Sequence, residues 1–159
     1  MNKPYFTLIS RIESELDNLE RVVEKVNSGW NRIEKTYDEI VLDSIALNLH
    51  DYYAGLERIF KLIASEIDGN IPSNKSWHQD LLNQMQIPIK KVRPQVISNE
   101  TANNLDEYRG FRHIVRNVYT FNLSVDRIKP LVEKLPQLKK DVRKDIENFL
   151  EYLESKADN

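Results

Sequence analysis

The chain has 159 residues with 25 acidic against 23 basic, a formal charge of −2 and no cysteine. This is the size of one domain, residues 1–159, with a single substantial core; disulfides and thiolate metal sites are excluded, and any contact with nucleic acid must come from a local patch and not from the overall field. Met1 to Leu8 carries no basic segment followed by an apolar run, and no stretch approaches the roughly 18 apolar residues of a membrane span, so a cytoplasmic protein is expected.

Four glycines, six prolines and apolar residues spaced three and four apart predict an all-α fold, an antiparallel helical bundle with long N-terminal helices. Ile9, Ile12, Leu16, Leu19, Val22, Val23 and Val26 form the first stripe, with a helix stop expected at Asn27-Ser28-Gly29. From Trp30 a second stripe through Ile33, Tyr37, Ile40, Ile45, Leu49, Tyr52, Leu56, Phe60, Ile63 and Ile67 runs to Asp68-Gly69-Asn70, bending near Leu42 to Ser44. Ile71-Pro72 forces extended backbone, and Ser76 followed by Gln79 reads as a capping box opening a short helix through Trp77, Leu81, Leu82 and Met85 that Pro88 ends. Ile87 to Pro94 is a connector whose Lys90, Lys91 and Arg93 are either simply solvated or an extension of a phosphate track. Ser98 or Asn99 caps the next helix, Phe121-Asn122-Leu123 forms a turn, and Ser124 caps a helix from Val125 that Leu135-Pro136 breaks. Leu138, Val142, Ile146, Phe149, Leu150 and Leu153 then line a last amphipathic helix.

The stretch from Tyr108 to Thr120 carries the most chemistry. With Arg109 at zero and about 100° per residue, Phe111, Ile114, Val115 and Val118 fall within roughly 100° of arc, while Arg109, Arg112, His113, Arg116, Asn117 and Tyr119 share the other side. No acidic residue lies between Arg109 and Tyr119. Arginines at i, i+3 and i+7 present planar, multidentate donors suited to phosphate, and histidine adds an acid–base group. The plainer alternative is the solvated face of an amphipathic helix.

Other residues carry weaker signals. Tyr37, Tyr52 and Tyr53 read as core or boundary residues, and Trp77 as the anchor of the short helix. His50 and His78 have no third ligand at metal spacing, so no metal site is expected. Asp51, Glu57 and Arg58 fall where the long hairpin can face the arginine helix; one acid there would orient Arg112, or each would form a surface ion pair.

The block from Leu105 to Leu123, with Asp126-Arg127 and Leu131 through Leu135-Pro136, resembles the HEPN superfamily and, more narrowly, the HepT-like proteins. Leu49-His-Asp-Tyr-Tyr-Ala-Gly-Leu-Glu-Arg-Ile-Phe and Trp77-His-Gln-Asp-Leu-Leu resemble that group's longer members, so the likeness spans roughly Ala46 to Pro136. The family's motif is an arginine, four to six residues, then a histidine, with a tyrosine two positions further in HepT members. Here Arg112 takes the arginine position and Tyr119 the tyrosine position, while Asn117 stands where the family has histidine.

The resemblance implies a toxin component that cleaves RNA, tRNA or mRNA, without metal or cofactor, in a cleft between the two protomers of a homodimer. Arg109, Arg112 and Arg116 would hold phosphate. Asn117 cannot be a general base and would only orient a phosphate or 2′-hydroxyl, leaving His113, one turn earlier on the same face, as its substitute. The implied partner is a minimal (MNT-type) nucleotidyltransferase antitoxin that transfers adenylate to Tyr119, adding charge and bulk where RNA would lie. The alternatives are a non-catalytic HEPN module binding RNA, nucleotide or a partner protein, and a helical adaptor whose basic stripe pairs with acidic side chains.

Overall fold

The computed structural model describes residues 3–117 and 123–158. Among them are five α-helices and no strand: α1 (Lys3–Lys35), α2 (Glu39–Ile63, prolonged by a π-helical turn Ala64–Asp68), α3 (Trp77–Gln86), α4 (Asn99–Asn117) and α5 (Val125–Ala157). The expected turn residues Phe121 and Asn122 lie outside the described residues. No helix among those described is long and apolar enough to cross a membrane.

Helices α1 and α2 form the long hairpin, but its corner is not where glycine suggests. α1 runs through Asn27-Ser28-Gly29 to Lys35, and the break comes at Thr36 to Asp38. A Cβ on Gly29 would lie 2.8 Å from Ile45 Cγ1, so the missing side chain serves close helix approach and not a stop. Asp38 starts α2, its Oδ1 accepting from the amides of Ile40 (2.9 Å) and Val41 (3.3 Å). Tyr37 and Ile40, placed in the stripe by periodicity, sit at this corner and are exposed. At the far end Gly69, with φ of 71°, closes the π-helical turn as the sequence predicts.

Ser76 precedes α3 without capping it; its hydroxyl turns to Asn74 Oδ1 (3.0 Å) and Asp80 Oδ2 (3.2 Å), so Gln79 completes no capping box. In the connector Arg93 is buried, which removes it from any phosphate track. Its Nε and Nη2 grip Asp68 at 2.6 and 2.8 Å, and its remaining donors reach the carbonyls of Ile87, Pro94 and Gln84 at 3.0, 3.0 and 3.1 Å. Five hydrogen bonds thus satisfy all the donors of one guanidinium.

Ser98 caps α4 by accepting from the Thr101 amide (3.0 Å), and its own amide donates to Asp145 Oδ2 of α5 (3.0 Å). Tyr108 pins the middle of α4: its hydroxyl donates to the Leu131 carbonyl (2.6 Å), and its ring meets Tyr52 of α2 edge-on at 6.3 Å. Ser124 caps α5 through the Arg127 amide. Contrary to the break expected at Leu135-Pro136, α5 continues through both Pro130 and Pro136. Both prolines lie on its exposed side, whereas Ile128, Leu131, Val132, Leu135, Leu138, Val142 and Ile146 are buried as one stripe. A long helix curves convex toward solvent, where a missing backbone hydrogen bond is best tolerated, and tertiary burial of the stripe outweighs the local defect.

Candidate functional site

The amphipathic split of α4 holds on its apolar side, where Phe111 is buried and Ile114 and Val115 pack against the core. Arg112 stands only about 60° round the helix from Val115, at the edge of that side. It is therefore drawn inward, and its side chain is 16% exposed. There it forms an ion pair with Glu57 of α2, Nη1 lying 2.9 Å from Oε1. Of the three hairpin residues expected to face α4, Glu57 is the acid that orients Arg112, and at 4% side-chain exposure the pair is no surface ion pair. Arg58 instead meets Glu15 of α1, and Asp51 contacts His50.

A third group completes the cluster. His78, at the second position of α3, places Nδ1 2.6 Å from Glu57 Oε2. Arg112 Nη1 lies 2.6 Å from the same Nδ1 and 3.1 Å from Nε2. A carboxylate facing Arg112 only accepts, so the imidazole donates to Glu57 from Nδ1, and in a neutral ring that makes Nε2 the acceptor. The Trp77 ring lies against the imidazole at 3.5 Å between centroids, and Lys61 Nζ of α2 sits 4.0 Å from the centre of the Trp77 ring. Carboxylate, imidazole and guanidinium thus meet at the junction of α2, α3 and α4.

Above them opens a cleft of about 220 Å³ lined by Lys75, Ser76, His78, Gln79, Arg109, Arg112 and His113. Every charged residue of that lining is basic, and the one carboxylate at its base, Glu57, is covered by Arg112 and His78. Arg109 reaches this cleft while paired with Asp106 at 2.7 Å, one turn back on α4. Arg112 Nε and the Tyr53 hydroxyl are buried and find no hydrogen-bond partner among the described residues. Burial drives the Tyr53 phenol far above its ordinary value; Glu57 adds to the shift, Arg109 opposes it, Asp106 adds and Arg112 opposes.

The structure thus brings Arg109, Arg112 and His113 to one cleft. The side chains of Arg116 and Asn117, and Tyr119 altogether, lie outside the described residues. The sequence reading missed His78, judged only as a metal ligand. Nothing in linear spacing ties position 78 to position 112; only the docking of α3 between α2 and α4 does. Among the described residues no group of three His, Asp or Glu side chains could hold a metal ion.

The all-α bundle, with its arginine helix next to last and Arg112 five residues before Asn117, together with the family match over residues 44–153, makes this a HEPN-type module. Residues 44–153 match the family described as HepT-like protein, more than half of the chain, and the protein belongs to that family. No curated protein and no solved structure matches it.

Proposed function

We propose that this protein is the toxin of a HepT-like toxin–antitoxin pair, a cytoplasmic homodimer that binds RNA in its basic cleft and cleaves it without metal. The observation that carries this reading is the cleft itself, whose charged lining is wholly basic and which stands over an arginine fixed by a buried glutamate. An arginine held in place before substrate arrives stabilises the charge of a pentavalent phosphorus without reorganisation, which is where electrostatic catalysis is strongest. Arg109 and Arg112 hold the phosphodiester, with Arg116 extending the track, and His113 stands at the rim for proton transfer. A minimal nucleotidyltransferase partner silences the cleft by adenylating Tyr119.

The test is incubation of purified protein with total RNA and a tRNA pool in EDTA, beside Arg112→Lys and Asn117→His. Arg112→Lys keeps a cation opposite Glu57 but loses the planar fork. Cleavage by the wild type that falls at least ~100-fold in Arg112→Lys is expected. RNA retained but never cut, with activity gained in Asn117→His, would mean instead a non-catalytic binding module. The departure at Asn117 is the observation that favours that second reading, since an amide moves no proton.

A further inference from the structure

Three features of His78 have no explanation as packing. Its Nδ1 is held by a buried carboxylate at 2.6 Å, its ring borders the basic cleft, and its Nε2 lies 3.1 Å from the guanidinium proposed to bind phosphate. A histidine that merely filled space would not need all three.

We infer that His78 is the general base of this site and Glu57 its positioning residue, so that α3 supplies the imidazole that position 117 lacks. The inference rests on the ribonuclease reading and deepens it. Glu57 fixes the tautomer in which Nε2 carries the lone pair, and the Trp77 ring fixes the plane of the imidazole. Arg112 Nη1 lies against the ring, 2.6 Å from Nδ1 and 3.1 Å from Nε2. A phosphodiester in the cleft is held by Arg112, already fixed by Glu57, and by Arg109, which sets the 2′-hydroxyl of the same nucleotide beside Nε2.

The step is a transesterification. Nε2 takes the 2′-hydroxyl proton, the 2′-oxygen bonds to the adjacent phosphorus, and the bond from phosphorus to the 5′-oxygen breaks. The leaving oxygen takes one proton from solvent, and His78 later returns its proton to solvent. The products are a 2′,3′-cyclic phosphate and a 5′-hydroxyl, with no metal, oxidant or reductant consumed.

The charged and titratable groups around the imidazole are Glu57 and Tyr53 from α2, with Lys61 beyond the Trp77 ring, Lys75 ahead of α3, Asp80 of α3 bonded to Ser76, and Arg109 with its partner Asp106, Arg112 and His113 from α4. His78→Gln keeps the Glu57–Arg112 ion pair, and Glu57→Gln keeps an acceptor for Arg112 and His78 while removing its charge. The experiment measures kcat and KM for RNA cleavage against pH in EDTA, on the full chain, for wild type, His78→Gln, His78→Ala and Glu57→Gln. His78→Gln is expected to lower kcat at least ~100-fold, with the smaller part of its effect in KM, and to remove the acid limb of the kcat/KM profile. His78→Ala should regain cleavage when free imidazole is added, a rescue that a structural role would not give. Glu57→Gln should keep the acid limb while lowering kcat about tenfold.

If wild type cleaves and His78→Gln cleaves equally with an unchanged pH profile, the inference fails and the ribonuclease reading stands. If wild type binds RNA without cutting it, both fall.

Discussion

Among the described residues two arginines, one buried and one half-buried, are drawn in against buried carboxylates, and they are finished differently. Arg93 and Asp68 are 0% and 1% exposed in their side chains, and every donor of Arg93 is used. Arg112 is also paired, with Glu57 at 2.9 Å, but has a buried Nε without a partner among the described residues, an imidazole against Nη1, and a cleft beside it. The first guanidinium ties the connector to the end of α2; the second has capacity to spare. Burial and an acidic partner do not by themselves separate a structural arginine from a working one. Unused donors beside open space do.

The largest stability effect should fall at the closed pair. Arg93→Ala takes the charged partner from a buried Asp68, leaving it the neutral amide of Gln84 (2.8 Å), strands three carbonyls, and should cost about 4 kcal/mol, read from the urea midpoint. Arg112→Ala should cost less, about 2 kcal/mol, because Glu57 keeps His78 as a partner. Equal losses at the two sites would break the distinction. RNA cleavage should show the reverse order, near-complete loss at Arg112 and little change in folded Arg93→Ala.

Alkali sharpens the contrast from another side. Burial raises the phenols of Tyr52, Tyr53 and Tyr108 above their ordinary value, so the folded state holds their protons more tightly than the unfolded chain does. Their contribution is complete below about pH 10 and is lost as pH rises beyond it, at up to about 1.4 kcal/mol per unit for each. Chemical denaturation between pH 8 and 11 reads that slope. At neutral pH the same phenols part company: Tyr108→Phe loses the bond to Leu131 and should cost about 1 kcal/mol, whereas Tyr53→Phe, removing an unpartnered hydroxyl beside Arg112, should be neutral or stabilising.

The smallest effect is expected at Arg109, whose partner Asp106 is half exposed. Arg109→Ala should change stability by less than ~0.5 kcal/mol while weakening RNA binding and its salt dependence.

Much of the fold was legible because it is written locally. Ser98 and Ser124 as caps, Gly69 as a stop and the apolar side of α4 depend on residues within one or two turns, and periodicity finds them. The failures share the opposite property. Gly29 is answered by Ile45, Pro136 is carried by a buried stripe along α5, and Arg93 is claimed by Asp68. In each case a distant partner reverses the local rule. The candidate site divides in the same way: Arg109, Arg112 and His113 lie on one helix and were found together, and Glu57 was named without its burial. His78 was missed as a member of the site because its role depends on how α3 docks.

Glu57 and His78 are 21 residues apart, His78 and Arg112 are 34 apart, and α4 is in turn latched to α5 through Tyr108 and Leu131. No fragment that ends before Arg112 can assemble this cluster, whose three residues come from α2, α3 and α4. A chain proposed to attack RNA would therefore stay harmless through the making of its first three helices, and the docking of the fourth would arm it.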